Sequence, residues 1–196
     1  SNTNTNTNTN TNTASSGRRV WIGTETGPIV LYKPSGEEEQ TLRAHIGGVY
    51  TLVYSPETAS IYSGSNDFSI IQWTPTGKSL RHFNGHKNGV RCLLSLGPWL
   101  WSGSDDHAVR VWEQATGHCV GVLEGHSASV ISLVTTGSSV LSAADDGTIR
   151  RWPLNENAHD HSWPCLQVVE AHSGRISSLQ PMGRHLWSCS ADRTIK

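Results

Sequence analysis

Histidine, serine and aspartate recur in a fixed order along this chain, and together these residue types can perform hydrolysis as a catalytic triad. In the first copy, His45 is followed by Ser63 and Asp67, and Trp73 closes the unit. The same set returns in three later copies, the last without its tryptophan: His86, Ser102, Asp106 and Trp112; His126, Ser142, Asp146 and Trp152; His172, Ser188 and Asp192. A catalytic site occurs once in a chain, so a set repeated in phase indicates a structural role. The sequence therefore predicts a protein without enzymatic activity.

The spacing of these sets defines a repeat of about 40 residues. The four histidines lie 41, 40 and 46 residues apart, and each aspartate follows its serine by four positions. A further tryptophan is due at position 198, two residues beyond Lys196, and the chain begins with Ser1 and not with Met. We therefore interpret the sequence as a fragment, cut at both ends of a repeat array.

Short strands separated by turns must position the repeated residues. Val90, Cys92 and Leu94 alternate with other residues, which places one face of a strand in a core. A second strand follows from Leu100 to Ser104, and Asp105 and Asp106 mark the turn after it. Four such strands in a repeat of about 40 residues are typical of a β-propeller blade. The predicted fold is an all-β propeller of four-stranded antiparallel blades, with about four and a half blades in residues 17–196.

The first residues differ in composition from the rest. Asn and Thr alternate from Asn2 to Thr13 and offer no apolar surface to bury. Burial is what offsets the entropy of ordering a chain, so residues 1–16 are predicted to be a disordered tail or linker.

The repeats resemble the WD40 family. Gly85-His86 and Gly125-His126 match the Gly-His of that family, and Trp73, Trp112 and Trp152 match its repeat-ending tryptophan. The sequence departs from the pattern at two positions. The Gly before His is replaced by Ala44 and Ala171, and the Asp after Trp is replaced by Thr74, Glu113 and Pro153. The resemblance covers about Val20 to Lys196. It implies that His, Ser, Asp and Trp of each blade form a buried hydrogen-bonded chain.

The resemblance also implies a binding face. In WD40 propellers, partner contacts cluster on the top face, at the third and fifth residues after the repeat His and at the residue before the turn Asp. The matching positions are Gly48, Tyr50 and Asn66; Gly89, Arg91 and Asp105; Ser129, Ile131 and Asp145; Arg175, Ser177 and Ala191. The predicted binding residues among them are Tyr50, Asn66, Arg91, Asp105, Ile131, Asp145 and Arg175. Tyr and Arg are enriched at binding hot spots, so Tyr50, Arg91 and Arg175 are the predicted anchors, and the two aspartates would select basic groups. The alternative is that Arg91 and Asp105 only pair with each other on a solvated surface.

Composition limits the other partners. The formal net charge is −1, from 15 basic and 16 acidic residues, which provides no broad positive field for nucleic acid or a membrane surface. No apolar stretch approaches the roughly 20 residues of a membrane span, and no nucleotide-binding motif is present. The sequence predicts protein or peptide partners, no nucleic acid, no membrane insertion and no cofactor, with self-association of the fragment through its open blade faces.

Cysteines and the longest insertion offer two further sites to weigh. Four cysteines without a C-x-x-C pair predict buried or half-buried free thiols in a reducing compartment, the cytoplasm or, as the alternative, the nucleus. Residues 155–164, with His159, His161 and nearby Cys165, could hold a metal ion. A metal site needs three or four convergent ligands, so we favour an exposed insertion between strands and predict no metal.

Several aromatic residues fall in or beside the repeat pattern. Trp21, Trp101 and Trp187 share one strand position and are predicted to pack between blades. Trp99 and Trp163 lie outside the pattern, and each is either an exposed binding anchor or a satellite packing residue.

Fold does not determine function, and a second function remains open. The favoured function is a scaffold for protein–protein interactions. The alternative is a regulatory propeller of a larger enzyme, such as an inositol-polyphosphate 5-phosphatase or a kinase; the first unit, from Val20 to His45, has some similarity to the former.

Overall fold

All regular secondary structure in the described part of the chain is β-strand. A computed structural model describes residues 13–16, 19–137, 139–154, 163–183 and 185–196. Within them, the strands form four four-stranded sheets and one two-stranded sheet, all antiparallel. The predicted all-β propeller architecture of about four and a half blades is confirmed.

Each blade takes its strands in chain order, and all but the last have four. Blade 1 contains β1 (Thr13–Ser16), β2 (Arg19–Gly23), β3 (Ile29–Tyr32) and β4 (Glu38–Leu42). Blade 2 contains β5 (Val49–Ser55), β6 (Ser60–Ser65), β7 (Ile70–Trp73) and β8 (Ser79–Phe83). Blade 3 contains β9 (Val90–Leu96), β10 (Trp99–Ser104), β11 (Val109–Glu113) and β12 (Cys119–Leu123). Blade 4 contains β13 (Val130–Thr136), β14 (Ser139–Ala144), β15 (Thr148–Pro153) and β16 (Gln167–Glu170). Blade 5 contains β17 (Ile176–Met182) and β18 (His185–Ser190).

In blades 2 to 4 the outermost strand is the least buried. The innermost strands β5, β9, β13 and β17 lie side by side, and each packs against the next. In blade 3 every residue of β10 is buried, whereas β12 buries only Leu123. A central strand is covered on both faces by neighbouring blades. It therefore does not show the alternating burial of a sheet with one solvent-exposed face.

The boundary of the predicted tail requires a correction. Strand β1 pairs with β2 in antiparallel register, from Thr13 opposite Ile22 to Ser16 opposite Arg19. It therefore belongs to blade 1, although three of its four residues are polar. Backbone pairing along a neighbouring strand depends little on side-chain type, which is why composition did not reveal it. Residues 1–12 lie outside the described residues.

Tryptophan packing joins blade 3 to blade 4. The ring of Trp163 stands edge-on to Trp101 at a centroid distance of 5.0 Å and to Trp99 at 6.2 Å. All three side chains are buried. A methyl group at Gly121 of β12 would come within 2.7 Å of the Trp163 ring, so the glycine is needed for this close approach. Trp99 and Trp163 thus have the packing role, and neither is an exposed anchor.

The equivalent position in blade 5 is different. Trp21 and Trp101 are completely buried, but Trp187 is 48% exposed because no blade covers that face of β18. The predicted packing of this position between blades is wrong for Trp187 in this structure.

The cysteines are free, and two of them are more accessible than predicted. Cys92 is buried and Cys189 is half-buried, but Cys119, the first residue of β12, and Cys165, which precedes β16, are exposed. Among the residues that the structure describes, no helix is long and apolar enough to cross a membrane.

Candidate binding face and the hydrogen-bonded chains beneath it

The turn that follows the second strand of blades 2 to 5 holds the repeated aspartate in a fixed position. In blade 3 the amide of His107 donates to the carbonyl of Ser104, and the amide of Ala108 donates to the carboxylate of Asp106. The residue after the aspartate has a positive φ in all four turns, at Phe68, His107, Gly147 and Arg193. Only Gly147 is the residue type that favours this conformation, so side-chain bonds to the aspartate must stabilise the other three turns.

Below the turns of blades 2 to 4, four side chains form a continuous hydrogen-bonded chain, and in blade 5 the chain comprises His172, Ser188 and Asp192. In blade 3, His86 Nδ1–H donates to Asp106 over 2.8 Å, and the Ser102 hydroxyl donates to His86 Nε2 over 2.7 Å. The indole N–H of Trp112 donates to the same hydroxyl over 2.8 Å. An ionised Asp only accepts, so the histidine carries its proton on Nδ1, and each of these groups is satisfied.

The same geometry recurs in the neighbouring blades. The bonds between histidine, serine and aspartate measure 2.7 to 2.9 Å in blades 2, 4 and 5, and the tryptophan bond measures 2.8 Å in blades 2 and 4. The participating residues are His45, Ser63, Asp67 and Trp73; His126, Ser142, Asp146 and Trp152; His172, Ser188 and Asp192. Blade 1 has Ile22, Thr26 and Tyr32 at the corresponding positions of Ser, Asp and Trp.

In blades 2 to 4, burial and hydrogen bonds keep the histidines neutral and the aspartates ionised. Burial lowers the pKa of His45, His86 and His126, and the adjacent carboxylates oppose this only in part. Burial alone would raise the pKa of Asp146, but hydrogen bonds from Thr148, Ser127 and His126 outweigh it and lower the pKa to about 2. The pKa of Asp106 is lowered in the same way by His86 and backbone amides. In each of these sets, a neutral imidazole therefore donates a hydrogen bond to an ionised carboxylate.

These buried sets are not placed for hydrolysis. The side chain that would act as nucleophile in blade 3, Ser102, has no exposed surface, and its hydroxyl already bonds to His86 and Trp112. A triad serine must reach a substrate carbonyl, and this one is covered by the neighbouring strands.

Above the chains, the predicted binding residues lie on one continuous face. Arg91 Nε donates to both carboxylate oxygens of Asp105, at 2.9 and 2.8 Å. The guanidinium of Arg91 also lies 4.2 Å from the ring centroid of Tyr50, in cation–π contact. Asn66 lies beside this group, since a methyl group at Gly89 would be 3.1 Å from both Asn66 Oδ1 and Asp105 Oδ2. Arg91 and Asp105 therefore make the mutual pair that the sequence left as an alternative.

A groove of about 480 Å³ continues this face across blades 3 to 5. Arg175 pairs with Asp145 at 3.0 Å on its far side, and the Arg175 side chain is 73% exposed. The groove is lined by Arg91, Asp105, Ser129, Ile131, Asp145, Arg175, Ile176, Ser177, Ser190 and Ala191. Five of these belong to the predicted binding residues, whereas Tyr50 and Asn66 lie outside the lining.

Sequence reasoning missed two lining residues. Ile176 and Ser190 lie one position from predicted contact positions at Arg175, Ser177 and Ala191. Ile176 begins strand β17, and Ser190 ends strand β18. Among the described residues, no cluster of three or more His, Cys, Asp or Glu side chains could hold a metal ion; His159 and His161 lie outside them.

The repeated four-stranded blades and their hydrogen-bonded chains define a WD40-type β-propeller. The model of the family described as "IP5P C-F beta-propeller" matches residues 49–152, and that of "WD domain, G-beta repeat" matches residues 163–196. The chain belongs to the IP5P C-F β-propeller family.

The chain is also similar to proteins that carry other descriptions. The chain is 25% identical over 123 residues to the pre-rRNA-processing protein crb3/ipi3 of Schizosaccharomyces pombe, an alignment covering 52% of this chain and 27% of the relative. It is 36% identical over 92 residues to the nuclear distribution protein nudF of Aspergillus flavus, covering 43% of this chain and 20% of the relative. The solved structure of a computationally designed protein, Ika8, matches with a TM-score of 0.80 and 26% identity, covering 93% of this chain and 56% of the design.

Proposed function

We propose that this propeller is a scaffold that binds protein or peptide partners through its top face and has no catalytic activity of its own. The observation that carries the proposal is the groove of about 480 Å³, in which charged side chains from three blades converge. Tyr50 and Asn66 extend the same face beyond the groove, next to Arg91 of its lining. Aromatic and arginine side chains at the centre of a surface are the residues that most often dominate binding energy.

A pull-down with matched variants tests this function. The chain carrying Tyr50→Ala, Asn66→Ala and Arg91→Ala should lose partners that the unaltered chain captures from a cell extract. The control carries Lys33→Ala, Lys78→Ala and His118→Ala, three exposed residues at turns on the opposite face, and should retain them. If the top-face variant is folded and retains every partner, the top face is not the binding surface.

A second function is supported by the family match. The description "IP5P" fits the propeller of an inositol-polyphosphate 5-phosphatase, in which this domain would regulate or localise a catalytic domain. The two functions are compatible, because such a propeller would also act by binding. Sequencing the complete transcript tests the second function, and an open reading frame that encodes propeller repeats without a phosphatase domain would contradict it.

The proposed compartment is the cytoplasm, with the nucleus as the alternative. Four free thiols, two of them exposed, are consistent with a reducing environment. Imaging of the tagged full-length protein would test this proposal.

A further inference from the structure

The two ion pairs of the top face are held very differently. Asp105 is 13% exposed and receives both of its contacts from Arg91, which is itself stacked on Tyr50. Asp145 is 19% exposed, and the contact that the structure describes for its carboxylate is the ion pair with Arg175. The arginine of the first pair is fixed on two sides, whereas the arginine of the second is 73% exposed and held at one point. The second pair is therefore the one that a ligand can open.

We propose that Asp145 is the subsite for a cationic side chain, an arginine or a lysine, of the peptide that binds in this groove. Arg175 occupies the subsite in the free protein and swings out when the ligand enters. The inference rests on the proposed function and adds the chemistry of the partner to it.

The groove surroundings favour a single cation over other ligands. Two carboxylates, Asp105 and Asp145, line the groove with two arginines, so a polyanion would gain two positive charges and meet two negative ones. Beside Asp145, the Ser129 and Ser177 hydroxyls can accept hydrogen bonds from a guanidinium, and Ile131 can pack against its aliphatic stem. Arginine, with five donors, suits such a site better than lysine does.

The proposal predicts that replacing Arg175 strengthens ligand binding. An exposed ion pair with a single contact is weak, so displacing it costs the ligand little, and removing it should improve binding. Arg175→Gln is therefore expected to bind a small arginine probe about two- to fivefold more tightly than the unaltered chain. If Arg175 were instead a direct contact to the partner, the same substitution would weaken binding.

The probe is N-acetyl-arginine methylamide, observed by saturation-transfer NMR because that method also works with an associated protein. Asp145→Asn should weaken its binding at least about tenfold, because the ligand loses a charge-assisted pair. The matched control Asp105→Asn should change it less than about twofold, since Asp105 is already occupied by Arg91. The neutral analogue N-acetyl-citrulline methylamide should bind at least about tenfold more weakly than the arginine probe.

Several outcomes would overturn the proposal. These are equal losses in Asp105→Asn and Asp145→Asn, weaker binding in Arg175→Gln, equal binding of the citrulline analogue, or inositol hexakisphosphate binding that depends on Arg91 and Arg175. If Asp145→Asn does not fold, the sign of the Arg175→Gln effect still decides. If the pull-down shows top-face capture but the arginine probe does not bind, the proposed function stands and this inference fails.

Discussion

Adjacent aspartates in one turn of this propeller have different tasks. Asp106 points down into the blade and is bonded to His86, Lys87 N–H and Ala108 N–H. Asp105 points into the groove and pairs with Arg91. The side chains differ little in exposure, 8% and 13%, so their partners and not their burial separate their roles.

The first prediction compares the two aspartates. Asp106→Ala strands the buried imidazole of His86 and two amides, at about 1 to 3 kcal/mol for each stranded group. Asp105→Ala releases a partly exposed pair and should cost about 1 kcal/mol or less. Urea unfolding of both variants measures the difference. Equal losses in the free energy of unfolding would contradict the assignment of Asp106 to the buried chain.

The second prediction concerns pH. Burial lowers the pKa of His45, His86 and His126 from the ordinary 6.5, so the unfolded chain takes up protons first as the pH falls. The stability that these histidines contribute is present above about pH 6.5 and is lost as the pH falls, by up to about 1.4 kcal/mol per pH unit for each histidine. Asp146, with its pKa lowered from 3.8 to about 2, adds a second loss between about pH 4 and 2.

Urea unfolding at a series of pH values measures both windows. The His126→Gln variant serves as the control. It removes one of the titrating histidines, so its free energy of unfolding should fall less steeply between pH 6.5 and 5. A chain whose free energy of unfolding rises as the pH falls from 7 to 5 would contradict the neutral state of these histidines.

At the scale of elements, each blade depends on its neighbours. The segment before β16 belongs to blade 4, yet its residue Trp163 packs on Trp101 and Gly121 of blade 3. Arg81 of β8 likewise donates to the carbonyl oxygens of Gln114 and Ala115 in the next blade, at 3.1 and 2.7 Å. Such contacts between blades are what hold successive sheets in one arc.

The third prediction tests the junction of blades 3 and 4. Trp163→Ala should lower the free energy of unfolding by about 3 to 5 kcal/mol, because it opens a cavity among buried rings. Trp187→Ala is the matched control, and its effect should be less than half as large because that side chain is 48% exposed. Similar losses in the two variants, measured by urea unfolding, would show that Trp163 contributes no special packing.

At the scale of the whole molecule, the described blades form an arc with apolar residues on its last sheet. Met182, Trp187 and Ile195 of blade 5 are 60%, 48% and 69% exposed. The residues of blade 3 at the positions of Trp187 and Ile195 are Trp101 and Val109, and neither has any exposed surface. Exposed apolar surface of this kind favours association.

The fourth prediction follows for the purified 196-residue chain. Sedimentation velocity should show concentration-dependent association through the uncovered face of blade 5. The variant Trp187→Gln with Ile195→Gln should shift the distribution towards monomer, whereas Leu80→Gln, at an exposed apolar residue of β8, should leave it unchanged. A stable monomer at all concentrations would contradict this prediction.

The repeats alone determined the blade architecture, because strand period, turn position and the phase of His, Ser, Asp and Trp are local properties that recur with the chain. The pairing within one blade, such as His86 with Asp106, was implied by the resemblance to WD40 repeats. The resemblance to WD40 repeats added the binding-face positions, and the assignment of a partner to them remains a prediction.

Contacts between blades were decided only by the tertiary structure. The sequence did not distinguish the fixed pair Arg91–Asp105 from the loose pair Arg175–Asp145. Arg91 is held in place by Tyr50 of the preceding blade, and Arg175 reaches Asp145 from the following blade. The sequence also left open whether Trp163 is an anchor or a packing residue. Such contacts depend on the distance and angle between whole sheets, and no local spacing along the chain encodes these quantities.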